Sequence, residues 1–559
     1  MEQVEMNWLL GLGFLFSLIY IVLHQLKKRK LRALENDLKS SWGKMKRREF
    51  YHFDLIELYF RNSKIRTEPF HIISDQIQED VDIHDLFKYL DRTTSKIGQQ
   101  YLYYKLRTVQ HKDKLAKFNE LTHTIESDPK LRLNLQLVLS KLNSHFAYDL
   151  QKLIQDEVIE KPPFHKLLLP LGLASVIVFS LGFFNPGFFL LLIPLFVVNM
   201  VFHYKTKSFI SYYLRAVYAL NLSLRTAKKI RSYTAINNQI PKGSFIQDIQ
   251  SIRVKTKFIS FEKQLSNEFI SIFWFLAELV KIQFNFEAII FYWFINDIVK
   301  KKSSINELFQ FLGEIDCAIS VASVKYQNKT ICTPDFVEVK EINVSGIVHP
   351  LLEDCIPNDL NLTEKSLLLT GSNMSGKSTF IRAFAISSIT AQTLNIAFAK
   401  EFSIPFSRVY TSIRITDSIN DGNSYYLREV LVIKKLIEAS DQKSPCIFIL
   451  DEIFKGTNTS ERISGGKAIL QYLNKLGHFV LVSTHDLELA DLLSNKGFDL
   501  HHFSEEVRNN ELHFDFKLKQ GKMNTRNAIK ILELYGYPSK IISDARETIK
   551  ESFNEISKN

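Results

Sequence analysis

An apolar strand that runs into a glycine-bounded loop and then a helix leaves few folds open, and Leu367 to Phe380, LLLTGSNMSGKSTF, has that form. Gly371, Gly376, Lys377 and Ser378 fit the G-x-x-x-x-G-K-[ST] spacing. In that pattern backbone N–H groups wrap phosphates, the lysine reaches the outer phosphates and the hydroxyl holds Mg²⁺. The helix that follows adds unpaired N–H groups and the positive end of its dipole, so a polyanion is favoured twice. Gly371, Ser372, Asn373, Met374, Ser375, Gly376, Lys377, Ser378 and Thr379 are the candidate nucleotide-binding set.

A phosphate loop needs a second metal ligand and a group that handles the attacking water. Pro445 to Glu452, PCIFILDE, reads as a buried parallel strand ending in two carboxylates. Asp451 is the candidate metal ligand beside Ser378, and Glu452 the residue that orients or deprotonates water. A third strand, Gly477 to Thr484, puts His485 at the same carboxyl edge, where open α/β sheets bind ligands. A histidine at a strand end is usually just hydrogen-bonded. Beside Asp451 and Glu452, a role in sensing the γ-phosphate is the stronger reading, so Lys377, Glu452 and His485 are the catalytic candidates, with ATP and Mg²⁺ implied.

The spelling of GSNMSGKST, DEIFKGTNT and STHDLEL, in that order, resembles the MutS family of DNA mismatch-repair ATPases, whose phosphate loop has Asn and Met at its third and fourth positions. Upstream, GIVHPLLE at Gly346 and the run Pro357, Asn358, Asp359 are similar to that family. Downstream, Phe516 to Glu547 looks like its closing helix-turn-helix. The resemblance implies a DNA-binding ATPase that dimerises through its nucleotide faces. NSYYLRE at Asn423 matches the family's S-x-[FY]-x-x-E segment, which makes Ser424 a candidate contact to the partner subunit's nucleotide. GTNT at Gly456 matches the loop facing the other active site, which makes Thr457 a second one. The next residues, SERISGG, depart from the family's Ser-x-Asp-Gly continuation. The signature of ABC transporters precedes the acidic strand, whereas ISGG at Ile463 follows it, so Gly465 and Gly466 are expected at a helix start.

The 559 residues predict several domains. Apolar residues make up 46%, within the range of soluble proteins, so local runs must decide whether a membrane part exists. Cys317, Cys332, Cys355 and Cys446 show neither C-x-x-C nor zinc spacing and are expected as reduced core residues of a cytosolic protein.

Trp8 to Leu23 is uncharged and apolar, at the short end of what spans a bilayer, and HQLKKRKLR follows it. A cleaved signal peptide carries its basic residues before the apolar run, and here Glu2 and Glu5 come first, so an uncleaved anchor with a cytoplasmic basic flank is expected. Leu167 to Phe184 and Phe188 to Phe202 are separated by Asn185, Pro186 and Gly187, with no charge from Leu167 to Phe202. With lysines on both flanks they predict a transmembrane hairpin whose two ends are cytoplasmic. The competing reading is a hairpin buried in the helical part.

Leu86 to Leu106 resembles the opening helix of the MutS core, with Asp-x-Thr, then Gly, then a long helix. GEIDCAISVASV at Gly313 resembles the last core helix, and helical patterns dominate from Lys205 to Val321. The aromatic residues in Phe269 to Phe294 read as packing. The net charge is +11, from 71 basic and 60 acidic residues, which suits DNA or anionic lipid; the basic cluster between Lys27 and Arg48 is better explained by lipid headgroups beside the anchor.

The expected fold is an α-helical core and lever region with transmembrane helices plus an α/β P-loop ATPase domain of ABC type. The expected boundaries are an anchor at 1–26, helical core at 27–160, transmembrane hairpin at 161–206, helical core and lever at 207–335, ATPase domain at 336–515 and a dimerisation segment at 516–559. The expected function is that of a multi-pass protein of the inner or plasma membrane with a cytoplasmic ATPase domain, acting as a homodimer on DNA in repair or recombination. The alternative is a transport or signalling ATPase with no DNA role. By resemblance, mismatch-repair members read the mispaired base with an N-terminal Phe-x-Glu wedge. Phe50 to Ile83 contains no such triplet, so structure-selective rather than mismatch-selective DNA binding is expected.

Overall fold

The computed structural model describes residues 2–46, 50–63, 69–154, 164–240, 243–250, 271–372, 374–414, 425–441, 444–475, 477–508, 511–523 and 528–556. The chain forms two compact units. One comprises Met1–Thr67, Leu90–Tyr104 and Lys117–Gln327, the other Glu68–Tyr89, Lys105–Ala116 and Asn328–Asn559. Residues 68–89 and 105–116 therefore group with the C-terminal unit, whereas the sequence reading placed them in the helical core.

The first unit is helical. It contains α1 (Glu2–Ser40), α2 (Lys96–Arg107), α3 (Lys112–Ser127), α4 (Pro129–Leu139), α5 (His165–Gly182), α6 (Leu192–Arg231), α7 (Ser271–Phe284), α8 (Phe286–Lys300) and α9 (Lys302–Gln327); the residues of α2 and α3 within 105–116 are counted with the second unit. α9 is buried along most of its length, and one polar residue on it organises its surroundings. Asp316 accepts hydrogen bonds from Thr94 N (2.8 Å), Ser95 N (2.7 Å) and Ser95 Oγ (2.6 Å), which serves N–H groups just ahead of α2. A Cβ on Gly98 would run into the Asp316 carboxylate, so glycine is required one turn into α2. Burial lifts the Asp316 carboxyl to about 6.

Trp8 to Leu23 lies within the single long helix α1, and its described apolar residues, Leu18 and Ile21 among them, are exposed. Among the described residues, two helical windows are long and apolar enough to cross a membrane, His165–Gly182 and Pro186–Lys207, of which 22% and 11% are buried. Asn185 caps the turn between them by accepting from Gly187 N at 3.0 Å. α6 then continues unbroken to Arg231, through the point where the sequence reading ended the hairpin.

Among the described residues the second unit carries two two-stranded sheets, of which one pairs His71–Ile72 antiparallel with Thr108–Val109, and two larger ones. A four-stranded sheet has the order β1 (Asp335–Val337), β5 (Glu401–Pro405), β2 (Glu341–Ile347), β3 (Asn358–Thr363). The other sheet has the order β12 (Lys519–Gln520), β9 (Phe498–His502), β4 (Ser366–Thr370), β8 (Phe479–Thr484), β7 (Cys446–Asp451), β6 (Arg408–Ser412). All its pairings are parallel except β12 with β9. Strands β4, β7 and β8 are buried at every position, as expected for parallel strands covered on both faces. Leu368, Phe448, Leu450, Val480 and Val482 share one core cluster with Leu470, Leu489 and Leu493. Two strands, β10 (Glu505–Arg508) and β11 (Glu511–Phe514), form a separate hairpin. The covering helices include α10 (Lys377–Leu394), α11 (Tyr425–Ser440), α12 (Thr459–Lys475) and α13 (Leu487–Leu493). The closing segment starts with β12 and only then becomes α14 (Ala528–Leu534) and α15 (Ser539–Ile556).

The segment from residue 69 is tied into this unit by charge. Asp80, fully buried, accepts from Ile413 N (3.2 Å), Arg414 N (2.7 Å) and Thr411 Oγ1 at the end of β6. The buried Arg107 pairs with Asp75 at 2.6 Å and donates to Ile73 O at 2.9 Å.

Candidate active site

Parallel pairing aligns the strand ends. Thr370 of β4 pairs with Thr484 of β8, and Ser483 of β8 with Asp451 of β7, so the phosphate loop, the acidic pair and His485 leave the sheet at one edge. The loop is shaped by two glycines in left-handed backbone, Gly371 (φ 147°) and Gly376 (φ 107°). A Cβ on Gly371 would stand 2.8 Å from both Phe503 O and Ser375 Oγ. Ser375 Oγ donates to Ser372 O at 2.8 Å, and Lys377 Nζ donates to Gly371 O (2.5 Å) and Ser372 O (2.7 Å), which curls the loop around the ammonium. Burial lowers the Lys377 pKa, and the carboxylates of Glu452, Asp451 and Glu505 oppose that shift.

Asp451 accepts from Ser483 Oγ on the neighbouring strand. Glu452 turns sharply away in left-handed backbone (φ 61°) while its N–H continues the ladder to Ser483 O at 2.9 Å. Its Oε1 lies 3.2 Å from His485 Nδ1 and its Oε2 3.3 Å from Lys455 Nζ. The hydrogen bond from His485 is the main reason the Glu452 carboxyl is held down at about 2, and the same bond raises the His485 pKa. Arg462 on α12 grips Asp486 with two bonds of 2.8 and 2.9 Å, which fixes the loop carrying His485.

Several contributors carried no role in the sequence reading. Glu429 on α11 is buried, and its Oε1 accepts from Lys455 N at 3.2 Å. The N–H groups of Lys455, Phe454 and Gly456 pull its pKa down, but burial outweighs them and raises it. It closes the S-x-[FY]-x-x-E pattern, and a carboxylate at that position of the helix is the signal in the sequence. Glu505, also buried, accepts from Ser372 Oγ. No local pattern identifies it, because it follows β9, which lies across β4 from the preceding strand β8. A cavity of about 280 Å³ opens beside the loop, lined by Met374, Ser378, Thr379, Phe503, Phe516 and Leu352 among others.

Of the residues expected here, Gly371, Ser372, Met374, Ser375, Gly376, Lys377, Ser378 and Thr379 form the loop and helix start, and Asp451, Glu452 and His485 converge at the same edge. Asn373 and Ser424 lie outside the described residues. Thr457 donates to Glu461 of its own chain at 2.7 Å. One expectation is corrected. Gly465 and Gly466 are not at a helix start but inside α12, where a Cβ on Gly466 would come within 2.9 Å of Ile453 Cγ2; small residues let α12 pack close to the turn after Glu452.

A phosphate loop, an acidic strand end and a strand-end histidine on one edge of a parallel sheet define a P-loop ATPase domain. The comparisons say what this domain is similar to: the family described as MutS domain V matches residues 367–552. Similar relatives are DNA mismatch repair proteins MutS from Aquifex pyrophilus (29% identical, 46% of this chain and 31% of the relative) and Natronomonas pharaonis (30%, 44% and 29%). A third, from Listeria welshimeri, is 32% identical over 45% of this chain and 30% of the relative. The chain thus aligns with under a third of the length of these relatives.

Proposed function

We propose that this chain is a membrane-anchored, MutS-like ATPase that hydrolyses ATP as a homodimer and couples hydrolysis to binding DNA by structure rather than by mismatch. The observation that carries the reading is the Glu452–His485 pair set, with Asp451, at the sheet edge that holds Lys377. ATP is the substrate. Lys377 supplies positive charge to the phosphates, the loop N–H groups wrap them, and the cavity between Phe503 and Phe516 has room for the base.

Ser378 and Asp451 are hard oxygen donors few enough to suit Mg²⁺, which keeps several waters and shares its shell with substrate phosphates. Asp451 has one oxygen engaged by Ser483, which leaves the other for a metal or its water. When bound, Mg²⁺ would neutralise charge on the phosphate oxygens. Glu452 would orient or deprotonate the water, and the hydrogen bond from His485 holds its carboxylate in place at the sheet edge.

Anchoring is supported by exposure. A core helix of a soluble protein is mostly buried, whereas 22% and 11% of the two hairpin windows are buried and α1 presents exposed apolar residues. The reading places the protein in the inner or plasma membrane with its ATPase domain cytoplasmic.

The test uses the whole protein in bilayers or detergent. Lys377→Ala is expected to lose nucleotide binding, and Glu452→Gln to retain ATP and stall hydrolysis. Competition among matched, single-mismatch and four-way-junction DNA at fixed salt is expected to give steeply salt-dependent binding, with less than tenfold preference for the mismatch over the matched duplex. Turnover with no DNA binding at any salt would favour a transport or signalling ATPase.

A further inference from the structure

Beside the hairpin, the helical unit holds a second apolar helix pair that the sequence reading took for ordinary packing. α7 and α8 are separated by one residue, Asn285, in left-handed backbone (φ 52°) and buried to 1% exposure. A helix break exposes carbonyls of one helix and N–H groups of the next, and here polar side chains of the hairpin meet it. Asn199 Nδ2 on α6 donates to Gln283 O (2.7 Å) and to Ser175 Oγ on α5 (3.1 Å). Asn285 Nδ2 donates to Asn199 Oδ1 (2.7 Å), and Gln283 Nε2 to Ser175 Oγ (3.2 Å). Gly172 on α5 allows the close approach, since a Cβ there would lie 2.7 Å from Phe284 O.

These contacts fix levels along the hairpin. Tyr292 stands beside His165, at the basic end of α5 (ring centroids 5.6 Å), and Glu278 stands beside Lys207 on α6 (2.8 Å). Phe284 packs against Phe179, far along α5 (6.2 Å). From His165 to Ser175, and from Glu278 to Asn285, the rise of 1.5 Å per residue gives roughly 10–15 Å. That is about half of a hydrocarbon core of ~30 Å. Both helices of the pair thus have their polar ends on the side of the hairpin's two basic ends, and their break lies halfway along it.

The geometry points to α7–Asn285–α8 being a re-entrant hairpin that enters the bilayer from the cytoplasmic face, turns at mid-depth against α5 and α6, and returns. The inference rests on the reading of α5 and α6 as a membrane hairpin. Backbone breaks at membrane depth are tolerated only where protein buries and satisfies them; here Asn199 serves the Gln283 carbonyl, and Ser175 holds the side chains of Asn199 and Gln283 in place. The outer face of the pair suits lipid: Val280, Phe286 and Trp293 are exposed, and Trp293 falls near the level of Tyr292, where an interfacial tryptophan belongs. Glu278, with Lys207, Lys281 and His203 around it, marks the headgroup level. From Ile282 to Ile295 the sequence has one charged residue, Glu287, which is half-buried against the protein.

The test is the accessibility of nitroxide labels to oxygen and to a water-soluble nickel chelate in phosphatidylcholine/phosphatidylglycerol bilayers. Single cysteines are placed at exposed positions in full-length protein whose four native cysteines are replaced: V197C on the hairpin, L190C at its turn, F286C and W293C on α8, and Y326C as a reference. The expected result is oxygen-dominated relaxation at V197C and F286C, an intermediate value at W293C and nickel-dominated relaxation at Y326C. Nickel-dominated relaxation at F286C with V197C still in lipid would overturn the re-entrant hairpin and leave the membrane hairpin standing. Nickel access at V197C as well removes both. F286C at the depth of L190C would make α7 and α8 full spans, which also overturns the proposal.

Discussion

Glu452 and Phe454 both hold left-handed backbone (φ 61° and 58°) without being glycine, an arrangement that costs on the order of 1–3 kcal/mol per residue and persists only where neighbours enforce it. The enforcing group is Glu429, buried beneath the turn and accepting from Lys455 N. Glu429→Ala is expected to leave ATP binding intact while lowering the single-turnover rate by roughly 10–100-fold, because a small displacement of a water-orienting carboxylate is costly. Equal loss of binding and rate would instead mean general damage to the unit. The pairing of Glu452 with His485 sets a pH dependence with two limbs. Glu452 is held below its free value, so its contribution is present above about pH 4.5 and is lost as pH falls toward 2. His485 is held above 6.5, so its contribution is full below that pH and is lost as pH rises through the raised value. Proton-detected titration of His485 should therefore give a pKa above 6.5 in the native protein, falling back toward 6.5 in Glu452→Gln; an unchanged pKa in the variant would mean that another group raises it. That Lys377, Asp451, Glu452 and His485 meet at one sheet edge was legible in the sequence, because each follows or ends a buried apolar strand. Glu505 and Arg462 were not, nor was the hold of Glu429 on the turn at Lys455, since each acts through a contact that only the fold brings together.

Element by element, the sequence was read best where burial is uniform. β4, β7 and β8 are covered on both faces, so each is a continuous apolar run that ends at its functional residue. The docking of residues 69–89 on the end of β6 was not legible, because it depends on the buried Asp80 meeting N–H groups more than three hundred residues later. α12 misled for a related reason: its paired glycines look like helix punctuation and instead serve close packing. α2 offers a sharper test of how elements are joined. Gly98 has no room for a Cβ against Asp316, so Gly98→Ala is expected to destabilise the helical unit by about 1–3 kcal/mol, read as a loss of several degrees in melting temperature, despite alanine's better helix propensity. The Asp316 carboxyl, lifted to about 6, keeps its proton in the folded state where the unfolded chain has lost it. Its contribution is therefore full below about pH 4 and is lost as pH rises toward 6. Asp316→Asn should flatten that part of the stability profile, and an unaltered profile would remove Asp316 as its source.

For the whole molecule, the proposed dimer and the proposed anchor bear on each other. Resemblance assigns Ser424 and Thr457 to the neighbouring subunit's nucleotide, and within its own chain the Thr457 hydroxyl donates to Glu461. A site completed in trans makes hydrolysis depend on encounter between subunits. Confinement to a membrane raises the effective concentration for that encounter without any new contact. Turnover per subunit in detergent is therefore expected to fall at least tenfold on dilution into the range where light scattering finds monomer, while the same protein reconstituted in vesicles and diluted equally keeps its rate. Thr457→Ala should shift the detergent curve toward higher concentration and leave nucleotide binding by the monomer unchanged. Constant turnover in detergent down to pure monomer would mean that each subunit completes its own site, and loss of rate in vesicles on dilution would mean that the membrane segments do not hold the partners together.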